Sequence, residues 1–201
     1  MISAYAKRTY TVEEYLALDQ ESEERLEYED GEIYAMAGET HEHNFIVNRL
    51  VTLLFNLAFS KGCRLVSHNI KLKIPPMPED PKRKGVIRGS KKGKYYYPDL
   101  IIAFSPQPSE RRIETDPCFV VEVLSKSTAG RDKGVKMNAY LRLANLQRYA
   151  LISPEEKKIE VYTRHPEGWL YQSLEKDPDR LEIPCIATSI TVRQIYRGLK
   201  L

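Results

Sequence analysis

YYYPDLIIAFSPQPSERRIETDPCFVVEVL, residues 95–124, contains two apolar runs, and each is interrupted by one acid. YYYPDLIIAF (95–104) reads as a strand with Pro98 near its entry. FVVEVL (119–124) reads as a second strand. Near-continuous apolar runs of this length suit strands covered on both faces. Asp99 and Glu122 break them. A lone buried carboxylate is costly, so each needs a hydrogen bond, a counter-charge or a metal. Strand alternation puts Glu122 with Val120 and Leu124, and Asp99 with Ile101 and Ala103. If the strands are neighbours, the two acids converge, and a hard divalent cation would resolve their repulsion.

Working outward, LEYEDGEIY (26–34) predicts a hairpin with Gly31 at the turn. Thr11 and Glu14 form a capping box before a short helix, while residues 19–24 are too polar for core. Thr40 caps a helix over 42–60, where Phe45, Ile46, Leu50, Leu53, Leu54 and Leu57 share a broad face, and Gly62 ends it. CRLVSHNIKLKI (63–74) is one long strand or two short ones. Residues 105–117 read as a loop, 132–145 as a helix, 149–162 as a hairpin, 169–174 as a strand and 191–199 as a terminal helix capped by Thr191. The class is α/β in one domain spanning residues 1–201.

The net charge of +3 conceals an asymmetry: residues 11–42 hold twelve acids and one base, and residues 61–97 hold eleven bases and two acids. The stretch 76–94 reads as a flexible basic loop. Its Lys82, Arg83, Lys84, Arg88, Lys91, Lys92 and Lys94 could track a phosphate backbone without reading bases. Tyr95, Tyr96 and Tyr97 beside it could stack on bases or pack the sheet. The three cysteines, Cys63, Cys118 and Cys185, form no CxxC, which suggests reduced thiols in a cytoplasmic protein. No apolar run is long enough to span a membrane.

A third acid is wanted beside Asp99 and Glu122. Glu27 is preferred, since Glu29 and Asp30 read as turn surface. Lys136 is the candidate to stabilise charge. It shares a helix face with Asp132, and the plain alternative is an ion pair worth about 0.2–0.5 kcal/mol. Lys126, in the loop after Glu122, is a second choice. His43 could touch the rim of such a site, or be a partly exposed residue at a helix end. His41 and His43 lack the spacing of a zinc site.

LEYEDGEIYAMAG, HNFIVNRL, YYPDLIIAF, FVVEVLSKSTAGRDKGVKMNAY and YALISPEEKKIEVYTR together resemble one family. This is the Uma-two restriction-endonuclease-like family of the PD-(D/E)XK nuclease superfamily, abundant in cyanobacteria. The resemblance implies a restriction-endonuclease-like core, with a central mixed β-sheet flanked by helices. It makes Asp99 the Asp of the PD element, Glu122 the next metal-binding acid and Glu27 the N-terminal acid. His43 and the Asp132, Lys136, Tyr140 pattern also match. An E-x-K element would put lysine at 124, where this chain has Leu124, and Lys136 would compensate. The expected activity is DNA phosphodiester hydrolysis with Mg²⁺, Mn²⁺ substituting, in a homodimer. Rival expectations are a non-cleaving DNA-binding or regulatory protein and, for paired acids alone, a glycan hydrolase.

Overall fold

The computed structural model describes residues 8–36, 38–76, 93–104 and 112–201. In chain order the elements are α1 (Val12–Glu21), β1 (Leu26–Glu29), β2 (Glu32–Ala35), α2 (His41–Ser60), β3 (Cys63–Ser67), β4 (Lys71–Ile74), β5 (Lys94–Tyr96), β6 (Leu100–Phe104), β7 (Ile113–Glu114) and β8 (Pro117–Val123). Next come α3 (Ala129–Arg131), a π-helical turn (Asp132–Lys136) and α4 (Met137–Tyr140). The chain finishes with β9 (Arg148–Ile152), β10 (Ile159–His165), β11 (Gly168–Leu174), β12 (Arg180–Ile183), a 3-10 turn (Pro184–Ile186), β13 (Thr188–Thr191) and α5 (Val192–Tyr196).

The central sheet is mixed, with order β11-β10-β9-β8-β6-β3, and only β8 and β9 pair in parallel. A smaller sheet runs β2-β1-β5-β4-β7, and β12 pairs with β13. Helices flank the central sheet because both of its faces are apolar. Leu100, Ile102, Phe119, Val121 and Val123 bury against Ile46, Val47, Leu50 and Leu54 of α2. The alternate residues Ile101, Ala103 and Val120 bury with Ala139 and Tyr140 of α4. A third cluster joins α1 to the β1–β2 hairpin through Tyr15, Tyr28 and Ile33. The hairpin turns on Asp30 (φ 54°) and Gly31 (φ 102°), the left-handed pair that a two-residue loop needs.

β6 and β8 are antiparallel neighbours, with Leu100 opposite Val121 and Ile101 opposite Val120, as the convergence of the two acids required. Residues 95–104 are not one strand, however. β5 belongs to the small sheet and β6 to the central one, so the chain crosses between sheets through Tyr97-Pro98-Asp99. Pro98 lacks the ladder donor, and Asp99 lies in the bend rather than on the face of Ile101 and Ala103. Residues 63–74 likewise divide between the sheets, at His68 with φ 63°.

The helix expected over 132–145 stops at Tyr140, where the Arg164 guanidinium takes the carbonyls of Leu143 and Leu146. The terminal helix is capped by Thr191 but ends at Tyr196. The loop expected over 105–117 holds β7 and the first residue of β8 among its described residues. Asp19 is also not peripheral. Its carboxylate is buried, 2.6 Å from Lys71 Nζ, and accepts the Tyr97 hydroxyl.

The expectation of three reduced thiols is corrected: Cys118 of β8 and Cys185 of the 3-10 turn form a disulfide, leaving Cys63 as the free, buried thiol. Folding brings together two cysteines 67 residues apart, a proximity that spacing does not disclose. No helix among the described residues is long and apolar enough to cross a membrane.

Candidate active site

Four elements converge where β6 begins and β8 ends. β1 brings Glu27, the bend before β6 brings Asp99, β8 brings Glu122, and the π-helical turn brings Asp132 and Lys136. His43 enters from the first turn of α2, whose start is held by the Thr40 side chain accepting from His43 N. All six residues are buried, none more than about 5% exposed, and with Met36, Gly38, Ser125 and Thr128 they line one small cleft. The five-residue π turn widens the helix where Asp132 and Lys136 point inward, a local irregularity common at functional sites.

Lys136 is the hub. Its Nζ lies 2.7 Å from Glu122 Oε1, 3.0 Å from Glu27 Oε1 and 3.4 Å from Asp132 Oδ1. The Tyr140 hydroxyl donates to the same Glu122 oxygen at 2.8 Å. Tyr97 N donates to Glu27 Oε1 at 3.1 Å, which fixes β1 to the bend carrying Asp99. Burial opposes the Lys136 charge, but Glu122, Glu27 and Asp132 together hold its pKa well above the ordinary lysine value. Burial raises the Glu122 carboxyl well above its usual range. Lys136 opposes this, and Asp132, Asp99 and Glu27 reinforce it. Asp132 is raised as well, mainly by burial. Lys136, with Arg131 Nη2 3.9 Å from Glu27 Oε2, faces three acids, and the Glu122 and Asp132 carboxyls hold their protons more readily than usual.

Asp99 faces the other way. Its Oδ2 accepts Val123 N at 2.7 Å and lies 3.1 Å from His43 Nε2. Behind the imidazole, Nδ1 is 3.5 Å from Glu39 Oε2, and Arg25 Nη2 holds Glu39 Oε1 at 2.6 Å. Burial lowers the His43 pKa, but the hydrogen bond to Asp99 and the charges of Asp99 and Glu39 outweigh it, so the net shift is upward. Glu39, His43 and Asp99 each offer a ligand atom within 4.8 Å of the others, a cluster capable of coordinating a metal ion. Glu27 Oε2, which accepts no hydrogen bond, faces the Arg131 guanidinium, with Nη2 3.9 Å away.

Of the residues singled out from sequence, Glu27, Glu122, Lys136, Asp132 and Tyr140 meet at Lys136, and Asp99 and His43 meet beside them. His43 is a buried member of the site rather than a partly exposed helix end. Lys126 is not part of the site: its side chain is 89% exposed and lies 3.3 Å from Glu155. Lys94 is buried, 2.8 Å from Glu29 Oε1 and 3.2 Å from Asp30 Oδ2, so its charge serves the chain's own acids rather than a phosphate backbone. Glu29 is correspondingly not turn surface. Arg131 Nη2 also holds it at 2.9 Å while the guanidinium covers the Tyr34 ring at 3.8 Å. Tyr95, Tyr96 and Tyr97 are all buried, which favours packing over base stacking. Lys82, Arg83, Lys84, Arg88, Lys91 and Lys92 lie outside the described residues.

Sequence reasoning missed Glu39 and Arg131. Glu39 is four residues before His43 but precedes Thr40, the N-cap of α2, so no helical spacing flags it. Arg131 adjoins Asp132 in GRDKG, but nothing in the sequence announces its reach to β1.

A mixed sheet between helices, with acids and a lysine gathered at one end of its central strands, defines the PD-(D/E)XK-like nuclease superfamily. Residues 12–193 match the Uma2 family, described as "Putative restriction endonuclease", and the chain belongs to that family. It is 34% identical over 189 residues to the uncharacterized protein slr1290 of Synechocystis sp., covering 93% of this chain and 91% of that one. A second Synechocystis protein, sll1609, also uncharacterized, is 28% identical over 167 residues, covering 82% and 86%. Among solved structures, a DUF820 protein from Anabaena variabilis, described as a putative nuclease, superposes with a TM-score of 0.72 at 16% identity. The match covers 92% of this chain and 97% of that chain, and it speaks to the fold.

Proposed function

We propose that this chain is a single-domain, metal-dependent endodeoxyribonuclease that hydrolyses DNA phosphodiesters, with Asp99, Glu122, Glu27 and Lys136 as its catalytic group. The observation that supports this most is the meeting of Lys136 with Glu122 and Glu27 at 2.7 and 3.0 Å, beside Asp99 in one small cleft. The donor set is carboxylate-rich with one imidazole, which fits a divalent ion such as Mg²⁺ or Mn²⁺. Asp99 would hold it, with further donors from Glu122 and Glu27 on one side or His43 and Glu39 on the other. Such an ion, when bound, makes water a stronger nucleophile and offsets phosphate charge.

The chain's own groups do the rest. Lys136 presents a fixed positive charge to the cleft, where the attacked phosphate gains negative charge. Tyr140 and Lys136 together fix the Glu122 oxygen, so the carboxylate needs no reorientation during reaction. The α2 start and the Ser125–Thr128 turn bound the cleft. Cutting both strands calls for two such sites, which a homodimer would supply.

A magnesium- and manganese-dependent cleavage assay over linear, supercoiled and branched DNA tests this reading. Asp99→Ala and Glu122→Ala should each lose on the order of 10²-fold or more in rate, with fold and DNA affinity retained. Equal cleavage by both variants would refute the assignment, and salt-sensitive binding without turnover would make this a non-cleaving DNA-binding protein.

A further inference from the structure

β11 ends the central sheet, and among the described residues only β10 pairs with it. Its sequence, GWLYQSL, holds no charge and no proline, and its pairing with β10 has no bulge. Charges, prolines and bulges are what normally keep an open edge from pairing. At the other edge β3 carries Arg64. Arg164 N donates to Gln147 O, so the even-numbered residues of β10 bond to β9 and the odd-numbered ones to β11. Leu170 and Gln172 therefore direct their main-chain groups at β10, while those of Trp169, Tyr171 and Ser173 point outward. Leu170 and Tyr171 are each 56% exposed, on opposite faces of the strand. The two rings are positioned within the chain: Tyr171 lies 5.4 Å from the Tyr162 ring, and Trp169 Nε1 donates to Leu141 O.

We infer that β11 pairs antiparallel with β11 of a second copy of this chain, about a two-fold axis at Leu170, joining the two central sheets into one. A two-fold presents the same donors and acceptors in reverse order, so an antiparallel edge is complementary to itself. With Leu170 on the axis, Trp169 faces the partner's Tyr171, and the two exchange N–H···O bonds on each side of the axis. On the opposite face Leu170 meets the partner's Leu170 in the close, non-hydrogen-bonded position, with Cα atoms about 4.5 Å apart. Both exposed apolar side chains are then covered. Moving the axis to Tyr171 would set Leu170 against the partner's Gln172 instead. Charge also favours a second copy: 29% of the chain is charged but none of this strand is, so no like charges meet across the axis. The inference gives the homodimer of the proposed nuclease its interface, and rests on that reading for its use, not for its chemistry.

Sedimentation equilibrium of the full chain tests the interface. The wild type should be a dimer. Leu170→Lys, which sets two ammonium groups at the axis, should weaken it at least about tenfold while the circular dichroism stays unchanged. Phe59→Lys, at a residue of α2 that is 77% exposed, should leave the dimer within about threefold. Leu170→Cys should cross-link to its copy on oxidation, because directly opposite residues of a non-hydrogen-bonded pair come within disulfide reach. A monomeric wild type overturns the inference, as does a dimer that survives Leu170→Lys or one broken by Phe59→Lys instead. So does a Leu170→Cys chain that stays uncross-linked. DNA cleavage is scored separately. A β11 dimer that never cleaves would sink the nuclease reading alone, and cleavage by a monomeric wild type would sink this interface alone.

Discussion

Lys136 Nζ lies 2.7 Å from Glu122 Oε1, at the centre of three buried acids, although thirteen residues of chain lie between the two. The pair ties the end of β8 to the π-helical turn and to Glu27 of the smaller sheet. Stability and proposed chemistry therefore depend on one ammonium.

Removing that ammonium while keeping its stem should expose the dependence. Lys136→Met leaves Glu122 and Asp132 buried without that ammonium and Glu27 with only Arg131, 3.9 Å away, and a broken buried pair typically costs about 3–5 kcal/mol. Urea unfolding at neutral pH should show a loss of this order. The loss should shrink in acid, where the carboxylates take protons. A variant as stable as the wild type at neutral pH would contradict the hub role.

Glu122 carries a pH signature of its own. Burial holds its carboxyl well above the ordinary 4.5 in the folded chain. The folded state therefore binds more protons than the unfolded one between these two values, and stability falls as pH rises through that window. Glu122→Gln removes the titration. Measured in metal-free buffer, the wild type should lose stability relative to Glu122→Gln as pH climbs from about 4.5 towards neutrality. Parallel curves would show that Glu122 ionises in the fold as easily as in the unfolded chain.

The disulfide can be counted directly. Denatured without reductant, the chain should show one reactive thiol, Cys63, and after reduction it should show all 3 cysteines. Closing a loop of 67 residues contributes roughly 2–4 kcal/mol, so Cys185→Ser should lower the unfolding midpoint under non-reducing conditions. Three thiols before reduction would overturn the pairing.

Gly31 sets the hairpin that positions Glu27. Its φ is 102°, and a Cβ there would lie 2.3 Å from Thr9 Cγ2. Gly31→Ala should destabilise the chain by roughly 1–2 kcal/mol, read by thermal or urea unfolding. No change would mean that the turn relaxes freely.

The elements that sequence periodicity revealed are those whose partners are near in the chain. The α2 stripe of Ile46, Leu50 and Leu54, the Asp30-Gly31 turn, the Thr11 and Thr191 caps and the β9–β10 hairpin all declare themselves within a few residues. The acids that break the apolar runs, Glu122 and Asp99, were legible for the same reason: a charge inside a buried strand conflicts with its immediate neighbours. Glu27 and Lys136 were readable as candidates, and the family resemblance strengthened them.

Other features depended on separations that no local pattern reports. YYYPDLIIAF divides between two sheets because β5 finds β1 and β4 while β6 finds β3 and β8. Glu39 joins the site only because α2 packs its first turn against the bend at Asp99, and Cys118 meets Cys185 across 67 residues. Local propensity is a property of neighbouring residues and can be read along the chain. The choice of sheet partner and the placing of charge beside charge follow from burying all the apolar surface at once, and only the folded chain settles that.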